Sequence, residues 1–308
     1  MGPSAKVGRV ALDHYGGRVR SAPPTQPAAR VDGLPSADRC LVMGVVNVTP
    51  DSFSDGGEWF EPAAAIAHGR ELLAAGADIL DVGGESTRPG AERPAPEEEL
   101  RRVLPVVEAL AAEGAVVSID TMRADVAAQA LDAGATAVND VSGGLGDPEM
   151  LALVAARRPP YICMHWRGHS VDMQSRTSYD DVVTDVIREL AERVEALKAA
   201  GVDLARVALD PGLGFAKTAE HNWEILRRLD EFHTLGLPLL IGASRKAFLG
   251  RLLADPVSGE PRPTSQRDDA SSAVTVLAAA AGVWCVRAHA VAPSADAVRV
   301  VRRWASDD

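Results

Sequence analysis

The stretch ILDVGGESTRPGAERPAPEEELRRVLPVVEALAAEGAVVSID, residues 79–120, contains the repeating unit that decides the fold. It begins with a short apolar run, passes through a loop rich in Gly and Pro, continues in a segment whose apolar residues recur every three or four positions, and ends in a second apolar run. An apolar run without alternation is typical of a strand buried on both faces, and the recurrence is typical of an amphipathic helix. This stretch therefore predicts a strand, a helix and a second, parallel strand.

The same unit repeats along most of the chain, and each apolar run ends in polar side chains. These ends are Asn47, Asp81, Asp120, Asn139 with Asp140, His165, Asp210, Ser244 to Lys246, and Arg287 with His289. Three of the helical segments end at Gly76, Gly114 and Gly201, and Gly suits the left-handed cap of a helix. Eight such units over roughly 270 residues fit a (β/α)8 TIM barrel, which typically needs about 250. We expect the polar ends to point out of the sheet together, at the face where such barrels carry their chemistry.

Composition limits the classes of function. The chain has 308 residues, 46% of them apolar, which suffices for one large core. A formal net charge of −11 argues against a nucleic-acid or anionic-membrane surface. The cysteines have no metal-ligand spacing, so we expect buried thiols rather than disulfides or a zinc site. The sequence shows neither a membrane-length apolar run nor a signal-peptide pattern, and we therefore expect a cytoplasmic protein.

The first part of the chain differs from the rest. Residues 1–38 are rich in Gly, Pro and Arg and have no helical period. We expect them to form a partly disordered N-terminal extension, with a short hairpin over residues 6–20 that covers the bottom of the barrel. Residues 39–308 are expected to form the barrel as a single domain.

Two loops and a group of polar side chains follow the predicted strands. The loops NVTPDSFSDGGEWF (47–60) and GGESTRPGAERP (83–94) are suited to closing over a ligand, although ordinary turn chemistry explains the same residue types. Asp120, Asn139 and Asp210 place an amide beside carboxylates, which suits the edge of a flat heterocycle. Helix capping is an equally good explanation for Asp120.

Basic side chains form a further group. Arg88 lies in the second loop, Arg245 and Lys246 follow the seventh strand, and Arg287 and His289 lie at the eighth. Loops after the last two strands of such barrels often bind phosphate, which guanidinium groups match with paired hydrogen bonds. In so acidic a protein, this cluster indicates a site for a phosphorylated anion.

Seven motifs together resemble one family. They are MGVVNVTPDSFSDGG (43–57), DVGGESTRPGAE (81–92), SIDTMRADVA (118–127), AVNDVSGG (137–144), LDPGLGFAKT (209–218), GASRKAFLG (242–250) and VRAHAV (286–291). In this order, over about residues 40–305, they resemble the dihydropteroate synthase family in its actinobacterial type, the folate-pathway target of sulfonamides. The resemblance implies a transferase that condenses (7,8-dihydropterin-6-yl)methyl diphosphate with 4-aminobenzoate, giving 7,8-dihydropteroate and diphosphate by an SN1-like, Mg²⁺-assisted displacement.

The resemblance also implies roles for single residues. The pterin would be bound by Asp120, Asn139, Asp210 and Lys246, in a pocket lined by Met164 and Phe215. The diphosphate would be held by Arg88, Arg287, His289 and a Mg²⁺ ion on Asn47. The aminobenzoate, or a competing sulfonamide, would contact Thr87, Pro89, Phe215 and Ser244. The catalytic group would comprise Asp55, Arg88, Lys246, Arg287 and His289. A homodimer through the last two helices is also implied.

Three alternatives remain open from the residues. A pterin-binding methyltransferase domain uses a similar pterin edge but lacks the two closing loops and has no need of the basic cluster. A non-catalytic pterin-binding paralogue typically lacks the STRPGAE loop, which residues 86–92 retain here. An aldolase-type barrel would use Lys246 as a Schiff base, at a loop position where desolvation is difficult. Asp81 and His165 have no assigned role.

Overall fold

The computed structural model describes residues 30–49, 62–85, 93–169 and 176–306, and it contains an eight-stranded parallel sheet. The strands are β1 (Leu41–Asn47), β2 (Ile79–Gly83), β3 (Val117–Asp120), β4 (Ala137–Asp140), β5 (Tyr161–Met164), β6 (Val207–Asp210), β7 (Leu240–Ile241) and β8 (Cys285–Ala288). Their order is β6-β5-β4-β3-β2-β1-β8-β7, and a bridge between Leu209 and Leu239 brings β6 beside β7. The sheet therefore closes, and the predicted (β/α)8 barrel is confirmed.

Helices alternate with the strands. They are α1 (Pro62–Ala74), α2 (Pro96–Ala112), α3 (Ala124–Asp132), α4 (Met150–Arg157), α5 (Val182–Ala199), α6 (Ala219–Arg227), α7 (Leu229–Phe232), α8 (Ala247–Leu252), α9 (Asp268–Ala280) and α10 (Val291–Ala305). The glycines predicted to end α1, α2 and α5 have φ angles of +101°, +84° and +83°. Left-handed backbone favours glycine, so these three predicted helix ends are confirmed. None of the helices in the described ranges has the length and apolarity needed to cross a membrane.

The apolar core has two layers, separated by the barrel wall. Side chains that point outward from the strands pack against the helices in a large cluster. Side chains that point inward fill the lower half of the barrel; among them are Leu41, Met43, Ile79, Ile162 and Leu240. Val31 packs beneath them and is 2% exposed. The bottom is thus plugged by apolar groups, whereas polar side chains gather at the carboxyl-end mouth. The hairpin expected over residues 6–20 lies outside the described residues.

One strand departs from the predicted pattern. We expected Asp81 to terminate its strand and point out of the sheet, but β2 continues to Gly83. Asp81 faces the barrel interior and is 1% exposed. The expectation for this residue was wrong because successive side chains of a strand alternate between its faces, and Asp81 shares the inner face with Ile79. A charged group therefore lies inside the barrel, below its rim.

Candidate active site

Arg287 on β8 joins two carboxylates that belong to different strands. Its Nη1 donates to Oδ2 of Asp81 on β2 at 2.8 Å and to Oδ2 of Asp120 on β3 at 3.1 Å. Asn139 on β4 donates through Nδ2 to the same Asp81 oxygen at 2.9 Å. Two residues of the expected pterin edge, Asp120 and Asn139, are therefore tied into one network through Asp81 and Arg287.

Burial and neighbouring charges set the protonation of this network. Burial raises the pKa of Asp120, and the adjacent carboxyl of Asp81 raises it further. Burial alone would lower the pKa of Arg287, but Asp81, Asp120 and Asp210 raise it, so the guanidinium stays charged. One cation thus faces three acidic groups. Such a mouth suits a ligand that carries N–H donors or develops positive charge.

Asp210 and Lys246 form a second pair of opposite charges at the mouth. Asp210 ends β6 and is buried, and its burial raises its pKa against the opposing effect of Lys246. Lys246 immediately precedes α8; its Nζ donates to the carbonyl of Leu213 and lies 4.5 Å from the centre of the Phe215 ring. Burial lowers the pKa of Lys246 to about 7. Its ammonium therefore loses its proton more easily than that of an exposed lysine, and the expectation that Lys246 would be difficult to desolvate was wrong because the surrounding loop buries its side chain.

An apolar wall lies beside these polar groups. Met164 at the end of β5 and Phe215 in the β6–α6 loop are both buried. They belong to a cluster that also contains Met122, Val141 and Ala216, with Trp166 packed against it. A flat ring held by polar contacts at its edge needs such apolar contacts on its faces. The structure therefore brings together the expected lining residues, Met164 and Phe215.

His289 follows β8 and contacts the end of the neighbouring strand. Its backbone N–H donates to Oγ of Ser244 at 3.1 Å, and its Nδ1 lies 3.0 Å from the same oxygen. Burial lowers the pKa of His289 to about 3, and the charges of Arg245 and Arg287 contribute. The imidazole is therefore neutral at physiological pH. Arg245 itself turns away to pair with Asp268 through two hydrogen bonds of 2.7 and 2.8 Å, so the structure removes it from the predicted basic cluster.

Several predicted residues lie on loops whose placement is not described. Asp55, Thr87, Arg88 and Pro89 fall outside the described residues. Asn47 is exposed at the end of β1. In the described ranges, no three His, Cys, Asp or Glu side chains are grouped to hold a metal ion. An exposed amide oxygen fits a Mg²⁺ ion that takes its other ligands from water and phosphate oxygens, as this ion usually does.

The structure adds a group of buried and half-buried residues that the sequence analysis missed or left without a role. Lys217 in the β6–α6 loop contacts His165 after β5, and His165 contacts Glu189 on α5. Asp81 is the centre of the Arg287 network described above. For Asp81, the alternation of Ile79, Asp81 and Gly83 along one strand face was a usable signal. For Lys217 and Glu189, residues 28 positions apart in sequence, no local pattern indicates that both contact one histidine.

Comparisons with known proteins agree with this geometry. The family model described as "Pterin binding enzyme" matches residues 43–289. The dihydropteroate synthase of Mycobacterium leprae is 52% identical over 264 residues, which are 85% of this chain and 93% of that protein. A structure of Xanthomonas albilineans dihydropteroate synthase with 4-aminobenzoic acid matches with a TM-score of 0.81 and 44% identity, covering 88% of this chain and 95% of that one. A Yersinia pestis dihydropteroate synthase in complex with a sulfonamide drug also gives 0.81, with 41% identity over 89% and 98% of the two chains.

Proposed function

Because this chain belongs to the dihydropteroate synthase family of pterin-binding enzymes, we propose that its barrel mouth condenses (7,8-dihydropterin-6-yl)methyl diphosphate with 4-aminobenzoate. The products are 7,8-dihydropteroate and diphosphate, so the enzyme is a transferase. The observation that carries the proposal is the convergence, at one mouth, of a carboxylate and amide edge with the cations Lys246 and Arg287. A heterocycle and its anionic substituent need these two kinds of group side by side.

We assign the pterin edge to Asp120, Asn139 and Asp210. Carboxylates accept hydrogen bonds from ring N–H and amino groups, and an amide both donates and accepts. Lys246 already donates to a backbone carbonyl, Leu213 O, and a pterin oxygen would compete for the same ammonium. The buried Met164 and Phe215 would cover the ring faces.

The diphosphate is assigned to the side of the mouth where Arg287 and His289 lie, and we propose that Arg88 of the second loop also binds it. Ser244 can donate its hydroxyl proton to Nδ1 of His289, and this arrangement leaves the Nε2–H of the neutral imidazole free to donate to a phosphate oxygen. Asn47 would ligate Mg²⁺. When bound, Mg²⁺ would neutralise negative charge on the leaving diphosphate.

The aminobenzoate is assigned to the space between the second loop and the β7 end. Thr87, Pro89, Phe215 and Ser244 would contact it, with Asp55 of the first loop ordering the closed site. The Xanthomonas albilineans relative was solved with 4-aminobenzoic acid, and the Yersinia pestis relative was solved with a sulfonamide drug, a compound similar in shape to aminobenzoate. We therefore propose that sulfonamides compete with aminobenzoate here.

The order of bond changes follows because the amine of aminobenzoate is a weak nucleophile. The C–O bond between the pterin methylene and the diphosphate breaks first, and the pterin ring shares the positive charge that develops on the methylene. The aminobenzoate nitrogen then forms the new C–N bond and gives up one proton to the diphosphate or to water. Asp120 and Asp210 stabilise the cationic pterin, while Arg287 and His289 stabilise the departing anion. No covalent bond to the enzyme is required.

One assay tests this function. Purified protein with Mg²⁺ should release diphosphate only when both the pterin diphosphate and aminobenzoate are present, and 7,8-dihydropteroate should appear in equal amount. A sulfonamide should raise the apparent KM for aminobenzoate and leave that for the pterin substrate unchanged. A folded protein that binds the pterin diphosphate but forms no dihydropteroate would contradict the proposal and favour a non-catalytic paralogue.

We also propose a homodimer and a cytoplasmic location. The packed pair α9 and α10 exposes four large apolar side chains: Val276, Leu277, Val300 and Trp304. A second copy of the chain on this face would cover them. Cys40, Cys163 and Cys285 are free thiols, which suits a reducing compartment.

A further inference from the structure

The loop between β6 and α6, residues 211–218, has an unusual backbone. Gly212, Gly214 and Ala216 alternate with other residues and have φ angles of +70°, +81° and +49°. Left-handed backbone is unfavourable for a residue with a side chain, so Ala216 keeps this conformation only because its surroundings hold it. The same loop carries Phe215 into the apolar wall of the candidate pterin pocket.

The ammonium of Lys217 is hydrogen-bonded to the backbone of this loop. Its Nζ lies 3.1 Å from the carbonyl oxygens of Gly212 and Phe215 and 3.0 Å from Nδ1 of His165. Burial lowers the pKa of Lys217 to about 7. In its ammonium form the side chain has three N–H donors, and each of them has one acceptor here. Lys217 is 4% exposed, and its hydrogen-bond partners are the two loop carbonyls and His165. In contrast, Lys246, which donates to the Leu213 carbonyl of the same loop, lies at the mouth.

The neighbouring side chains determine which ring nitrogen of His165 accepts a hydrogen bond. Nε2 of His165 lies 2.9 Å from Oε2 of Glu189, and Arg167 pairs with the same carboxylate. Burial lowers the pKa of His165 to about 4, so the ring is neutral. Because an ammonium only donates and a carboxylate only accepts, Nδ1 accepts from Lys217 and Nε2–H donates to Glu189.

A second donor acts on the same loop. The hydroxyl of Tyr179 donates to the carbonyl of Ala216 at 3.0 Å, and the guanidinium of Arg167 lies 3.8 Å from the centre of the Tyr179 ring. The carbonyls of residues 212, 215 and 216 are thus fixed by Lys217 of the same loop and by Tyr179, which precedes α5. The start of the loop is also fixed, since the Gly212 N–H donates to Asp210 at 2.7 Å.

We propose that Lys217 is a positioning residue for the reaction: it fixes the backbone of residues 211–218 so that Phe215 packs on the pterin and Asp210 presents its carboxylate to the pterin edge. The proposal rests on the proposed function, because it assumes that a pterin binds at this mouth. Lys217 itself touches no reacting atom. Its effect on binding is transmitted through the Gly212 and Phe215 carbonyls.

Replacement of the ammonium tests the proposal. Lys217→Met keeps the length and apolar stem but removes the three donors, and Lys217→Arg keeps the charge. We expect calorimetry to show that Lys217→Met weakens binding of the pterin diphosphate by about tenfold or more, since misplaced binding groups lose much of their effect. Lys217→Arg should recover part of this loss. Lys198→Met, at a half-exposed lysine on α5, is the matched control and should bind as the wild type does.

A second variant covers the case in which Lys217→Met does not fold. Tyr179→Phe removes only the hydrogen bond to Ala216, and it should weaken pterin binding about threefold without loss of folding. A purely structural role would lower the melting temperature of both variants and leave the Kd of the folded protein unchanged. Kd values within twofold of wild type for Tyr179→Phe and for any folded Lys217→Met would overturn the proposal. Wild-type protein that binds no pterin diphosphate would overturn the proposed function as well.

Discussion

At the scale of single residues, Arg287 is the cation that lies among several acidic groups at the barrel mouth. Its Nη1 serves Asp81 and Asp120 at once, and Asp210 also acts on its charge. Removing a buried cation from such a network leaves its carboxylates without compensation. The same guanidinium is assigned to the leaving diphosphate, so it contributes to both the order of the site and the chemistry.

We expect Arg287→Ala to lower kcat/KM by at least about a hundredfold, which corresponds to about 2.7 kcal/mol of lost transition-state stabilisation. Diphosphate release measures the effect, and a melting curve shows whether the variant folds. Arg227→Ala on α6 is the control, since this arginine is exposed and pairs with Glu224 on the same helix. A kcat/KM for Arg287→Ala within twofold of wild type would remove Arg287 from the mechanism.

His165 makes stability depend on pH. Burial, and then the charge of Lys217, lower its pKa to about 4 in the folded protein, from an ordinary value near 6.5. Between these two values the unfolded chain binds more protons than the folded one, so stability falls as the pH falls from about 6.5 to about 4. The slope from one such group reaches at most about 1.4 kcal/mol per pH unit.

His165→Gln should therefore flatten the loss of stability between pH 6.5 and pH 4. Urea unfolding at half-unit steps of pH measures the free energy of unfolding of both proteins. His289 has a pKa lowered to about 3 and adds a slope of the same sign, so part of the pH dependence should persist in the variant. His68→Gln on the exposed side of α1 is the control. An identical slope in wild type and His165→Gln would show that His165 does not titrate in this way.

At the scale of elements, the backbone of the β6–α6 loop passes close to the end of β5, and this contact positions the site. A Cβ on Gly212 would lie 2.5 Å from the carbonyl oxygen of His165, and φ at this glycine is +70°. The loop therefore crosses the end of β5 at a distance that only glycine permits. Gly259 has nearly the same φ, +73°, but a Cβ there would meet nothing within 4 Å.

Substitutions at these two glycines distinguish the cost of backbone strain from the cost of a steric clash. Gly259→Ala should lower the free energy of unfolding by roughly 1 kcal/mol, the cost of left-handed backbone alone. Gly212→Ala should cost more, because the loop must also move away from His165, and pterin binding should weaken with it. Chemical denaturation and calorimetry measure the two effects. Equal costs for both substitutions would show that the loop relaxes without consequence.

At the scale of the whole molecule, the α9 and α10 face carries the proposed dimer. Leu277 is 68% exposed and Trp304 is 90% exposed. Large apolar side chains exposed on two packed helices are typical of an interface between subunits. The barrel mouth is built from strand ends of a single chain, so the dimer is not needed to complete the described part of the site.

Introducing charged side chains on this face should therefore separate the subunits without abolishing catalysis. We expect the double variant Leu277→Glu, Trp304→Glu to sediment as a monomer at micromolar concentration, while the wild type sediments as a dimer. Val257→Glu changes a residue that is 95% exposed outside this face and should leave the dimer intact. A double variant that remains dimeric would place the interface elsewhere.

The sequence by itself determined the barrel and most of the polar mouth. Apolar runs and helical periods are local properties, and the carboxyl ends of parallel strands meet at one face, so the ends at Asp120, Asn139, Asp210 and Arg287 predicted a shared site. The seven motifs identified the family, which the comparisons confirm. The roles assigned to single residues, among them Asn47 and the loop residues outside the described ranges, stay predictions.

Only the tertiary structure decided how these side chains pair. Arg287 and Asp81 are 206 residues apart in the chain and meet because the closed barrel places β8 and β2 on either side of β1. Lys217 contacts His165, a residue 52 positions earlier in the chain. Contacts of this kind depend on strand register and side-chain orientation, which long-range packing sets and local patterns do not encode. The same packing turned Asp81 inward and Arg245 away from the mouth.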